Sequence, residues 1–184
     1  MFHRWYLTPQ KISKMSNQSS SSCWKCRNVV GSFFHMWWTC GEIMSCWKRI
    51  HCWLQIILNI RFEMNAKFYL LCIPPNNLCS KAKGFFFYAT TAARLLLVAR
   101  WRSPTLPTED DWFDMMLYFN NLAFLSRSLG VNFDNEVQGW WNKFSKIAES
   151  RVWHLTYLIQ SSWWKLFFLS CLFAILYFNI SLER

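Results

Sequence analysis

Cys23, Cys26, His35 and Cys40 stand in the order C-x2-C-x8-H-x4-C within the stretch CWKCRNVVGSFFHMWWTC. Thiolate and imidazole are ligands that zinc favours, and a set of four fills its tetrahedral shell. A metal here would therefore be structural, holding a small knuckle together rather than activating water. The first cysteine pair fits one tight turn, and closing the short loop to the second pair costs little entropy. Gly31 lies mid-loop, where a backbone reversal is expected. The alternative is a cysteine-bearing piece of an apolar core, because reduced cysteine is among the most buried residue types. Cys46, His51 and Cys52 offer three more potential ligands, but they fall on a helical stretch with no fourth and read as core or surface thiols.

Trp24, Lys25, Arg27, Phe33, Phe34, Trp37 and Trp38 surround the four ligands. Cations interleaved with aromatic rings suit single-stranded nucleic acid, since charge follows the backbone and bases stack on rings. Lys11, Lys14, Lys25, Arg27, Lys48 and Arg49 are the candidate phosphate contacts, and Trp37 and Trp38 the candidate stacking residues. The two tryptophans are adjacent and do not face the same way. Stacking on a base and packing on a neighbouring helix are both open to them.

A chain of 184 residues accommodates one ordinary domain with appendages. Apolar residues make up 53% and include 36 aromatics, so burial is not limited by material. The charge of +10 is uneven: residues 1–102 hold 14 Lys and Arg against Glu42 and Glu63, a net +12, and residues 103–184 hold six against eight, a net −2. A positive potential confined to one part of a chain suits a phosphate backbone or an anionic membrane. The first fifteen residues contain no apolar run, so no signal peptide is visible and the thiols read as reduced, in the cytosol or nucleus.

Residues 1–22 read as a basic lead-in, flexible over SNQSSSS at 16–22. The spacing of Ile43, Trp47, Ile50, Leu54 and Leu58 predicts an amphipathic helix over 42–60. After Pro74 and Pro75, residues 85–101 are apolar almost all round and predict a buried helix. Thr108, followed by Glu109, Asp110 and Asp111, predicts the capped start of another, with Trp112, Met116, Phe119 and Ala123 on one face. Val137, Trp140, Trp141 and Phe144 mark a further helix over about 135–149. The expected fold is mainly α: a zinc-knuckle-like segment at 23–40, a helical, bundle-like region at 41–160 and an apolar C-terminal helix within 161–184. The run 166–178 is short for a membrane span, and 163–180 reaches span length only by including Lys165 and Asn179. No dinucleotide or phosphate loop, H-E-x-x-H or G-x-S-x-G is present, so no enzyme is expected.

Several runs stand in order over about residues 4–148: Arg4-Trp5-Tyr6-Leu7-Thr8-Pro9, Ile12-Ser13-Lys14-Met15, His35-Met36-Trp37-Trp38-Thr39-Cys40, Tyr88-Ala89-Thr90-Thr91-Ala92-Ala93-Arg94 and Leu106-Pro107-Thr108-Glu109-Asp110-Asp111-Trp112. In these the chain closely resembles the C-terminal end of the reverse transcriptase polyprotein of vertebrate LINE-type non-LTR retrotransposons. The resemblance implies a cysteine-rich, mostly helical region that follows the polymerase, binds the element's RNA and supports target-primed reverse transcription. The family's metal-ligand pattern falls on Cys23, Cys26, His35 and Cys40, although some relatives place the second cysteine where Arg27 stands. The polymerase and endonuclease motifs of the family are absent, so the expectation is a non-catalytic fragment of a truncated element. Its implied partners are RNA or single-stranded nucleic acid and the missing polymerase region. Residues 163–184 match nothing in the family and read as adventitious sequence. Two alternatives stand beside this: a membrane-associated protein held by 163–180, and a relic with no selected activity.

Overall fold

Strong helical periodicity becomes helix throughout the computed structural model, which describes residues 7–16, 19–128 and 138–152. Among the described residues the fold is mainly α, with seven helical segments and no sheet. These are α1 (Pro9–Met15), a π-helical turn (His35–Thr39), α2 (Gly41–Leu58), α3 (Ala66–Leu70), α4 (Ser80–Ala99), α5 (Glu109–Ser128) and α6 (Gln138–Val152). The chain divides into two compact units, Met1–Lys146 and Ile147–Arg184. Of the second, only the end of α6 is described.

The predicted amphipathic helix is α2, whose Ile43, Trp47, Ile50, Leu54, Ile57 and Leu58 are buried. It ends at Asn59, whose φ of 53° is the left-handed cap that asparagine tolerates. α4 begins earlier than its apolar run, because Ser80, Lys81 and Lys83 are helix-compatible around a buried Ala82. It is not buried all round. Phe85, Phe86, Ala89, Ala92, Ala93, Leu96 and Leu97 face the interior, whereas Phe87 and Leu95 are exposed.

The start of α5 is capped as its residues foretell. Thr108 Oγ1 accepts from the Asp111 backbone N–H at 3.1 Å, and Asp111 Oδ2 accepts from the Thr108 N–H at 2.7 Å. This is a reciprocal capping box with aspartate at the third position. Trp112, Met116 and Ala123 are buried as the pattern predicts, Phe119 is only half-buried, and Phe113 and Met115 join the buried set. α6 begins at Gln138, residues 135–137 lying outside the described ones; Trp141 and Phe144 are buried, with Phe144 stacked on Phe113 at 5.3 Å.

Two helices escape the periodic reading. α3 spans five residues, too few to show a period, and is capped by Asn65 and anchored by buried Tyr69. α1 occupies part of the expected lead-in. Thr8 caps it by accepting from the Lys11 N–H, and Pro9 opens its first turn, a favoured pairing for a helix start. Thr8 and Pro9 are both buried, so this part of the lead-in is packed. The polar tract is also tied down in part, because Ser21 C=O accepts from Gly31 N–H at 2.8 Å and Ser22 bridges Val30.

Among the described residues no helix is long and apolar enough to cross a membrane. The expected apolar helix within 161–184 lies outside the described residues.

Gly31 is required for a close approach. A Cβ there would stand 2.6 Å from Pro9 Cγ and 2.9 Å from its Cδ, and the Gly31 carbonyl accepts from the Gln10 N–H at 3.3 Å. Gly31→Ala is expected to destabilise the chain by about 1–3 kcal/mol through overpacking. In a denaturant titration, Pro9→Ala should recover part of that loss, and strict additivity of the two changes would count against the contact.

Candidate metal centre

The cluster is assembled by two local devices. In the first, a loop closed by Cys23 N–H to Val29 C=O at 2.8 Å holds Cys23 and Cys26 on one turn, with Arg27 N–H donating to Cys23 C=O at 2.9 Å. Arg27 has φ 60°, a left-handed conformation that costs a side-chain-bearing residue about 1 kcal/mol. The second is the π-helical turn. Residues five apart on an α-helix point about 140° away from each other. Widening the turn, with Cys40 N–H donating to His35 C=O at 2.9 Å, brings His35 and Cys40 to one side.

One potential ligand atom from each of Cys23, Cys26, His35 and Cys40 lies within 4.8 Å of all the others. Cys23 Sγ is 3.9 Å from Cys40 Sγ, and Cys26 Sγ is 3.3 Å from His35 Nε2. Tetrahedral zinc, with bonds of about 2.3 Å to sulfur and about 2.0 Å to nitrogen, sets its ligands about 3.8 Å apart for S···S and about 3.5 Å for S···N. The measured pairs bracket those values, so the donor set fits zinc. His35 Nδ1 lies 3.2 Å from Thr39 Oγ1. If zinc were bound through Nε2, Nδ1 would carry the hydrogen and Thr39 Oγ1 would accept it, fixing the ring.

The thiols differ in acidity. Burial pushes Cys23 up to about 11, only partly offset by the backbone N–H groups of Cys26 and Lys25. Burial also acts to raise Cys26, but the Asn28 N–H, the His35 ring and the Val29 N–H outweigh it and bring this thiol down to about 6. Cys26 is thus a thiolate at neutral pH, ready as a first ligand.

Among the other singled-out residues, several are engaged inside the protein. Lys25 lies between the two cysteines of the turn, and its ammonium donates to the carbonyls of Arg100 at 2.7 Å, Thr105 at 3.0 Å and Ser103. It anchors the knuckle to the segment after α4, which accounts for its side chain in place of a phosphate contact. Trp37 is buried against Trp101, ring centroids 5.3 Å apart, and Trp38 packs between Trp47 and Tyr69 at 6.2 and 5.7 Å. Both tryptophans thus pack on rings of the protein, Trp37 buried and Trp38 half-buried. Arg49 reaches Cys46 Sγ at 3.3 Å and Glu109 at 3.9 Å. Lys11, Lys14, Arg27 and Lys48 are exposed.

Cys46, His51 and Cys52 do not converge. Cys46 is buried beside the Pro107 carbonyl, Cys52 is exposed, and His51 Nδ1 is 2.5 Å from the Tyr69 hydroxyl. Thr39 was not among the expected site residues, although a hydroxyl four positions after a ligand histidine is a usable signal on a helical turn. No protein-family model matches the chain. No solved structure matches it either.

Zinc reconstitution is expected to load about one ion per chain, read by elemental analysis after exhaustive dialysis. Cys40→Ser should abolish loading. Thr39→Ala should retain one ion but bind it about 10- to 100-fold more weakly in a chelator competition, and unchanged affinity would remove Thr39 from the site.

Proposed function

We propose that the chain is a non-catalytic RNA-binding element in which Cys23, Cys26, His35 and Cys40 hold one structural zinc. The zinc would supply a cross-link between the 23–26 turn and the π-helical turn. The observation carrying this reading is the convergence of four zinc-type donors within 4.8 Å, in a segment whose first acidic residue is Glu42. In support, Arg27 lies on the knuckle loop and Lys11 and Lys14 lie one turn apart on α1, which meets that loop at Gly31. Such cations neutralise phosphates and release counterions without base preference. The resemblance to the C-terminal region of a LINE-type reverse transcriptase points to RNA as the partner, and to the polymerase region that precedes it in that family as a second.

Of the six candidate phosphate contacts, Lys25 is engaged by carbonyls and Arg49 stands beside Glu109, which leaves the exposed Lys11, Lys14, Arg27 and Lys48. The log–log salt dependence of single-stranded RNA affinity should then have a slope of about −3. Arg27→Gly suits the positive φ, so it should leave zinc content and folding intact while reducing the slope by about 0.7. Binding indifferent to salt would defeat the proposal.

A further inference from the structure

We infer that Phe34, with Phe33 beside it, is a base-stacking platform that makes this surface prefer unpaired nucleic acid to duplex. The inference rests on the RNA-binding reading above and sharpens it. Large aromatic rings are ordinarily interior, yet Phe33 is 39% and Phe34 53% exposed. Both immediately precede the candidate ligand His35, so whatever fixes His35 fixes their backbone. Phe33 also has a buttress beneath it: its ring lies 6.1 Å from that of buried Trp37, which packs in turn on Trp101 at 5.3 Å. Phe34, the more exposed of the two, presents its ring to solvent on a backbone that the adjoining π-helical turn already orders, which lessens the entropy lost on binding.

The charge carried by the sequence up to this turn has one sign. No acid occurs in the first 41 residues. Arg27 stands on the loop that precedes this helical turn, and that loop meets α1, with its Lys11 and Lys14, at Gly31. An aromatic platform flanked by cations matches a nucleotide, whose base offers a flat face and whose phosphate a charge. In a duplex those base faces are covered by their neighbours and only the phosphates remain. The cations alone would bind both forms; the rings add affinity for one.

The test uses the zinc-loaded full chain, titrated with labelled oligouridylate, with an RNA duplex of equal length and with phosphatidylserine vesicles. Phe34→Ala and Phe34→Leu should each weaken oligouridylate binding about 5- to 150-fold, leave duplex binding within twofold and keep the zinc content unchanged. Phe34→Trp should bind as well as the unaltered chain or better. If Phe34→Leu binds like the unaltered chain, or if single strand and duplex lose affinity equally, the stacking inference falls and the RNA-binding reading survives. An unaltered chain that binds vesicles but neither RNA overturns both.

Discussion

The ammonium of Lys25 joins the 23–26 turn to the segment that follows α4. It sits on the turn between the candidate ligands Cys23 and Cys26 and reaches across 75 residues or more of chain to three carbonyls after α4. Taking a cation from water is costly unless it is paired or fully hydrogen-bonded, and burial accordingly lowers its pKa. Three acceptors match the three hydrogens that an ammonium can donate. One of them, the Arg100 carbonyl, stands at the C-terminal cap of α4, the negative pole of its dipole, where a cation is favoured. The place of the knuckle is thereby set by the helices, and the path of residues 100–105 is set by the knuckle.

Tryptophan supplies the remaining stitches. A fifth of the chain is aromatic, and indoles bring an N–H that needs a partner when buried. Trp47 donates to the Trp37 carbonyl at 2.8 Å, Trp101 to Leu7 at 3.1 Å, and Trp112 to Ala89 at 2.9 Å. Each bond fastens one segment to another, across 10, 94 and 23 residues of chain respectively, while the ring contributes apolar area. Arg100 completes the corner by holding Asp111 at 2.8 Å and the Leu106 carbonyl at 2.7 Å. Asp111 also belongs to the capping box of α5, so one carboxylate both starts that helix and anchors it to the end of α4.

Basic residues in the first half consequently serve two ends. Lys25, Arg49 and Arg100 meet carbonyls, a sulfur or carboxylates within the fold, whereas Lys11, Lys14, Arg27 and Lys48 point outward. Net charge counts these groups alike. Their availability to an outside phosphate differs, because an internally hydrogen-bonded cation would have to break those bonds before binding another anion.

Features carried by short-range spacing were legible in the residues alone. The quartet Cys23, Cys26, His35 and Cys40, the buried stripe of α2 and the Thr108 start of α5 all depend on neighbours a few positions away. The Thr8–Pro9 start of α1 carried the same kind of signal within a stretch read as lead-in, and five-residue α3 is too short to carry a period. Gly31 was recognised as the place of a turn, which the Ser32 N–H closes onto the Val30 carbonyl at 2.8 Å, but Pro9 pressed against it was not foreseen. Which way Trp37 and Trp38 turn, and where the Lys25 ammonium goes, only the tertiary structure decided. Their partners Trp101, Tyr69 and the carbonyls after α4 lie tens of residues away, and contacts made at such separation leave no periodicity along the chain to be read.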